Sequence, residues 1–247
     1  MCGRYTLSAP AGDLAQLFGA AGEDLPLQPR YNVAPTQEVL TVRSSPDPDE
    51  AKEGEREARL MRWGLVPRWA KDISGAAKLI NARADGIGEK PSFRDAFAKR
   101  RCIVPMDGFY EWKREEDGSK QAFAVAQADG MPMATAGLWE GWKAEDGTWL
   151  RTFTIITTDA NDKQGIIHHR MPVILPPETW DAWLGAEPAE AADLLELLVP
   201  SPAEELLAWP VDNRVGRVAE NDAGLIRKRR DVPAIPGLDD EPPDWVR

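Results

Sequence analysis

The chain has 247 residues, 43% of them hydrophobic, with 30 Lys and Arg against 41 Asp and Glu and a formal net charge of -11. That length supports a sizeable core, and no stretch approaches the roughly 18–20 apolar residues of a membrane span. With two cysteines, two adjacent histidines, no CxxC pair and no glycine-rich phosphate loop, neither a metal site nor a nucleotide cofactor has sequence support, so no cofactor is expected.

In chain order, the first half reads as short strands broken by turns. The patterning predicts a helix over Ala11–Phe18, strands over Gln37–Arg43 and Ala58–Trp63, and an exposed, polar, Pro-bearing loop at 44–57. A helix over Phe93–Arg100 behind a Ser92 cap leads to strands at Cys102–Met106, Gly108–Lys113, Gln121–Ala126, Met133–Trp139 and Thr152–Thr157. Asp-Gly turns in EEDGSK (115–120) and AEDGTW (144–149) join neighbouring strands as hairpins. After a short helix near Asn161–Gly165, the last third predicts three proline-led amphipathic helices, at Pro177–Leu184, Ala189–Leu198 and Ala203–Trp209. The stretch from Pro233, rich in Pro and Asp, is expected to be poorly ordered. These elements predict an α+β fold: a single domain over 1–232 built on a mainly antiparallel, barrel-like sheet flanked by helices, with an acidic tail over 233–247. The start of the chain lacks the charged and apolar regions of a secretion signal, so a cytoplasmic protein with free thiols is expected.

The charge is unevenly spread. Residues 58–114 carry +7, whereas 44–57, 178–205 and 238–247 carry -4, -8 and -3. A basic middle inside an acidic average keeps a phosphate backbone open as a partner.

Cys2 carries the most specific chemistry. Removal of Met1 leaves a cysteine with a free α-amine, a 1,2-aminothiol. An α-amine with a pKa of about 7.7–8.0 is partly neutral at physiological pH and condenses with an aldehyde to a Schiff base. The neighbouring sulfur can then close a five-membered thiazolidine, helped by its high effective concentration. His168 and His169 are neighbours, and adjacent side chains of an extended segment point to opposite faces, so they are not expected to share an ion.

CGRY at 2–5, YNVAP at 31–35, WGLVPRW at 63–69, INAR at 80–83, GFYEW at 108–112 and IHHRMP at 167–172 occur in order over about two-thirds of the chain. Together with VGRVAEND at 215–222, they resemble the SOS response-associated peptidase (SRAP) family. The resemblance implies covalent capture of the ring-opened aldehyde of an abasic site in single-stranded DNA. The product would be a DNA–protein crosslink that shields the lesion, with associated lyase activity and self-removal of Met1. It implies Cys2, Asn81, Glu111 and His168 as catalytic residues. In that scheme Asn81 orients the amine or sugar, Glu111 is the general acid/base, and His168 protonates the sugar ring oxygen. Arg4, Arg83 and Arg170 adjoin these motifs and are the expected phosphate ligands, Trp69 is the stacking or wedge residue, and Pro35 is a further DNA contact. The chain departs from the family pattern at Arg68, where a second aromatic can stand, and at His169, where an acidic residue is common. No metal, nucleotide or membrane partner is implied, and a monomer is expected. Two other readings stay open: an N-terminal-nucleophile amidohydrolase or peptidase using Cys2, and a noncatalytic single-strand binder.

Overall fold

Alternation along one strand sets out the architecture. In Lys120–Gln127, Phe123 and Val125 enter one hydrophobic cluster while Ala122, Ala124 and Ala126 enter another, so both faces of this strand are covered. The computed structural model describes residues 2–22, 25–44, 55–185 and 190–246. Its strands are β1 (Arg4–Leu7), β2 (Ala20–Ala21), β3 (Arg30–Val33), β4 (Glu38–Ser44), β5 (Arg56–Trp63), β6 (Asn81–Arg83) and β7 (Arg101–Met106). They continue as β8 (Gly108–Arg114), β9 (Lys120–Gln127), β10 (Met133–Lys143), β11 (Trp149–Asp159), β12 (Arg170–Pro172) and β13 (Leu206–Pro210). The helices are α1 (Ala11–Phe18), α2 (Arg94–Lys99), α3 (Asp162–Gly165), α4 (Trp180–Leu184) and α5 (Ala191–Glu196).

One antiparallel sheet has the order β13-β9-β8-β1-β3. The other runs β12-β11-β10-β7-β4-β5-β2, and a parallel pairing of Thr152 and Phe153 with Arg62 and Trp63 joins β11 to β5. That pairing closes β11, β10, β7, β4 and β5 into a five-stranded barrel. The expected α+β, mainly antiparallel and barrel-like core is what the chain forms. Both Asp-Gly hairpins are present, with Gly118 at φ 84° and Gly147 at φ 88°, and Asp117 and Asp146 accepting the backbone N–H of Ser119 and Thr148.

Several elements differ from the sequence reading. Ala203–Trp209, expected as a helix, is a turn of 3-10 helix followed by β13, which pairs with β9 from Leu206↔Gln127 to Pro210↔Phe123. The pull is tertiary: the free edge of β9 needs donors and acceptors, and a short apolar run satisfies it as readily as it forms a helix. Helix α2 starts at Arg94 with Phe93 in the cap position and no side-chain cap, so Ser92 is not its cap. Strand β5 reaches back to Arg56 into the expected 44–57 loop, of which 45–54 lie outside the described residues. The start of the expected helix at Ala189 is likewise outside them. The tail from Pro233, expected to be poorly ordered, packs instead: Leu238 and Val246 are buried, and Asp240 accepts from the backbone N–H of Ala208 and from Lys163 Nζ, both at 2.8 Å. Among the described residues no helix is long and apolar enough to cross a membrane.

Candidate functional site

The site forms where the chain begins. Strand β1 lies between β8 and β3, with Arg4 opposite Tyr110 and Tyr5 opposite both Phe109 and Val33. Continuing that register carries the first residues past Glu111, the next position along β8. Tyr5 packs at 5.3 Å on Trp63, which lies at 6.3 Å from Phe153, so an aromatic column in the hydrophobic core anchors β1. Cys2 is fully buried.

Asn81 is delivered from the other sheet. β6 runs parallel to β11, pairing Asn81 with Ile155 and Arg83 with Thr157, and Trp63 Nε1 donates to the carbonyl of Ile80 at 2.8 Å. This placement aims Asn81 Nδ2 at the carbonyl oxygen of Cys2, 2.8 Å away. The chain can turn out of β5 because Gly64 adopts φ 116°, where a Cβ would also sit 2.9 Å from the carbonyl oxygen of Ala76.

Glu111 is 3% exposed. Burial raises its carboxyl pKa above the usual range, with partial opposition from the positive charge at the amino terminus and from His169. The Cys2 thiol is pushed well up, first by burial and then by the negative charge of Glu111, so it is protonated in the resting site.

His168 follows α3, which is capped by Asn161 Oδ1 accepting from Gln164 N at 2.8 Å. Its Nδ1 accepts the backbone N–H of Arg170 at 3.1 Å, which places the ring proton of the neutral form on Nε2. Burial, the amino-terminal charge and His169 lower its pKa to about 4. With Nδ1 engaged by Arg170 N, the neutral imidazole offers Nε2–H as a hydrogen-bond donor. The two histidines also do not diverge: the chain bends here, and their rings stack with centroids 4.4 Å apart.

The expected DNA contacts divide. Arg4 donates to the carbonyls of Gly3 at 2.9 Å and Gly216 at 3.3 Å and forms no ion pair among the described residues. Arg83 is exposed on β6. Arg170 is placed otherwise than expected of a phosphate ligand. Its side chain is 6% exposed, with Nη1 on Asp159 at 2.7 Å and Nη2 on Thr157 O at 2.6 Å and Asp85 at 3.4 Å. Two carboxylates already balance its charge, and its backbone N–H donates to His168 Nδ1. Trp69 is 67% exposed on the loop between β5 and β6, whose base is pinned by Val66 N to Thr152 Oγ1 at 2.9 Å and Trp142 Nε1 to Ala70 O at 2.8 Å. Arg68, Lys71 and Lys78 are exposed on the same loop. Other cations of the basic middle are structural: Arg100 pairs with Glu140, and Arg101 donates to the carbonyls of Trp183, Phe97 and Ala98. Pro35 is half-buried in a turn whose next residue, Thr36, sits at φ 75°. A β-branched residue there costs on the order of 1–3 kcal/mol.

Asn32 was not singled out by sequence reasoning, yet it ties β3 to the segment at 217–220. Buried on β3, it donates through Nδ2 to the carbonyls of Arg217 and Glu220, both at 2.9 Å, while Asn221 Oδ1 accepts from Tyr31 N at 2.8 Å. The signal in the sequence was a polar residue beside the apolar Val33 and Ala34 inside YNVAP. A cavity of about 830 Å³ lined by Leu17, Met131, Trp180 and Leu197 includes none of the site residues. Cys2 and Glu111 lie below the surface, with Asn81 and His168 half-buried beside them.

The sequence profile described as SOS response associated peptidase (SRAP) matches residues 1–218. The chain is 40% identical over 229 residues to the abasic site processing protein YoqW of Bacillus subtilis, covering 92% of this chain and 99% of the relative. It is 32% identical over 238 residues to the abasic site processing protein YedK of Escherichia coli, covering 92% and 99%. A crystal structure of a protein from Bacteroides thetaiotaomicron superposes with a TM-score of 0.82 at 30% identity, covering 92% of this chain and all of that one. The chain belongs to the SOS response associated peptidase family.

Proposed function

We propose that the chain processes abasic sites in DNA, and that it does so by covalent capture through the aminothiol of Cys2 once Met1 has been removed. The observation that carries this reading is the set of groups around the chain start: Cys2 held through its carbonyl by Asn81, a buried Glu111 with a raised pKa, and a neutral His168. The relatives named above are abasic site processing proteins, which supplies the aldehyde that an aminothiol needs.

The chemistry uses two groups whose environments push them to opposite protonation states. As the hemiacetal opens, the anomeric hydroxyl gives up its proton and the ring oxygen gains one, with His168 Nε2–H hydrogen-bonded to that oxygen, so ring opening exchanges no net proton. The α-amine of Cys2 attacks the aldehyde carbon and gives a carbinolamine. Glu111 donates its proton to the departing hydroxyl, water leaves, and a protonated C=N bond remains. Glu111 is now a carboxylate beside a protonated thiol. It accepts the thiol proton while sulfur bonds to the imine carbon and the C=N electron pair returns to nitrogen, which keeps its one proton in the ring. One water is lost overall, and Glu111 ends protonated, as it began. Trp69 with Arg68, Lys71, Lys78, Arg83 and Arg4 offers stacking and phosphate contacts to a single strand without reading bases. The same groups serve a slower lyase reaction through the Schiff base, and Glu111 serves the removal of Met1.

The test is incubation of the purified, Met1-processed chain with an abasic single-stranded oligonucleotide in the absence of reductant. A heat-stable adduct that disappears in Cys2→Ala supports the reading. Release of an amine from small amides with no adduct on DNA would favour the amidohydrolase instead.

A further inference from the structure

Residues 227–230 read Arg-Lys-Arg-Arg, a basic run beyond the part of the chain matched to the family. The structure surrounds it with acids. Lys228 Nζ lies 3.0 Å from both Asp239 and Glu241, Arg230 reaches Glu241 at 3.0 Å, and Arg229 pairs with Asp231. Arg227 is exposed and forms no ion pair among the described residues. Between the run and residues 241–246 lies a cleft of about 430 Å³, lined by Arg227, Lys228, Arg230 and Glu241.

The run is joined to the site by a continuous path. Gly216 O takes Arg4, Arg217 O and Glu220 O take Asn32, Ile226 O takes Trp209 Nε1, and Pro210 O takes Arg229 N. Val215, Leu225 and Ile226 pack on one face of the β13-β9-β8-β1-β3 sheet, so this segment crosses from β1 to β13. Three strand spacings amount to about 14 Å, a distance that a few nucleotides span.

We infer that Arg227 and Arg230, both exposed beside the buried side chain of Lys228, form a second contact for the phosphate backbone of the DNA strand held at Cys2, masked in the free protein by the carboxylates of Asp239 and Glu241. The inference rests on DNA being the substrate. The carboxylates occupy the sites that phosphate oxygens would take, in the same charge-assisted geometry. The Arg230–Glu241 pair is solvent-exposed and worth at most about 1 kcal/mol, so a polyanion that also releases its counterions displaces it.

The experiment is fluorescence anisotropy with a labelled, undamaged single-stranded oligonucleotide over a salt series, using the full chain. Arg227→Ser/Arg230→Ser should bind severalfold more weakly, with the slope of log K against log salt reduced by about 0.7 for each phosphate that the variant no longer holds. Asp239→Asn/Glu241→Gln should bind severalfold more tightly, with a steeper slope. Unchanged binding in the arginine variant overturns the contact, as does an unaltered chain that binds no DNA. No gain in the acid variant overturns the masking. Should the acid variant lose its fold by circular dichroism, Glu241→Gln alone carries that arm. Crosslinking to an abasic oligonucleotide is read in parallel: an unaltered chain that fails to crosslink while these binding differences persist would remove the Cys2 reading and leave the contact standing.

Discussion

The side-chain amide of Asn81 donates a 2.8 Å hydrogen bond to the carbonyl oxygen of Cys2, tying the first residues of one sheet to a strand of the other. The bond fixes the rotation of the backbone that bears the nucleophilic nitrogen. Asn81→Ala should slow crosslinking by about 10²-fold, the scale of a small misplacement of reacting groups, with little change in melting temperature. Single-turnover crosslinking and thermal melts on the same preparation check this, and an unchanged rate would contradict a positioning role.

Glu111→Gln keeps the shape of the buried side chain and removes its proton chemistry. Because the charge of Glu111 raises the Cys2 pKa, the variant should titrate its thiol at lower pH while closing the ring more slowly. The raised Glu111 pKa means that the acid form persists to higher pH than for an ordinary carboxyl and is lost on going alkaline. The unaltered chain should therefore show an alkaline decline in the dehydration step that the glutamine variant lacks. Thiol titration with a chromogenic disulfide and pH–rate profiles read the two effects separately.

The shift at His168 has a definite sign for stability. An unfolded imidazole takes its proton near pH 6.5, whereas folded His168 remains neutral down to about 4. Between these values the unfolded chain binds the additional proton, so the stabilisation is complete above pH 6.5 and is lost as pH falls toward 4. Urea midpoints should drop more steeply over that range for the unaltered chain than for His168→Gln, and the His168 ring should titrate in NMR near 4. Parallel pH dependences would contradict this.

Trp69 is exposed and its neighbours hold the loop without it. Trp69→Ala should leave stability within about 0.5 kcal/mol and weaken single-strand binding by about 1–3 kcal/mol. Equal affinity of the two proteins would remove Trp69 from the strand path.

The sequence exposed the long strands and the chemistry more readily than the short strands that bring the chemistry together. Met133–Lys143 and Trp149–Asp159 carry enough alternation and a diagnostic Asp-Gly turn to be legible. Asn81–Arg83 and Arg170–Pro172 have three residues each, too few for a period, and exist because β11 offers them pairing partners. Leu206–Pro210 misled because a short apolar run suits helix or strand, and the open edge of β9 decided the outcome. The roles of Arg170 and His168 depended on partners far away in sequence: Asp85 and Asp159 for the guanidinium, and burial with the amino-terminal charge for the imidazole. Motif order identifies such residues but not their protonation states. The charge arithmetic was partly legible. The +7 of residues 58–114 includes exposed cations on the Trp69 loop and half-buried arginines, Arg100 and Arg101, that hold the fold.

The most direct test of covalent capture is intact-mass spectrometry of the Met1-processed chain after incubation with an abasic single-stranded oligonucleotide without reductant. The account predicts a heat-stable species at the summed masses of protein and oligonucleotide less one water, absent in Cys2→Ala. In Cys2→Ser it predicts an adduct that survives only when the Schiff base is reduced. An unmodified protein mass, or an adduct that persists unchanged in Cys2→Ala, would contradict it.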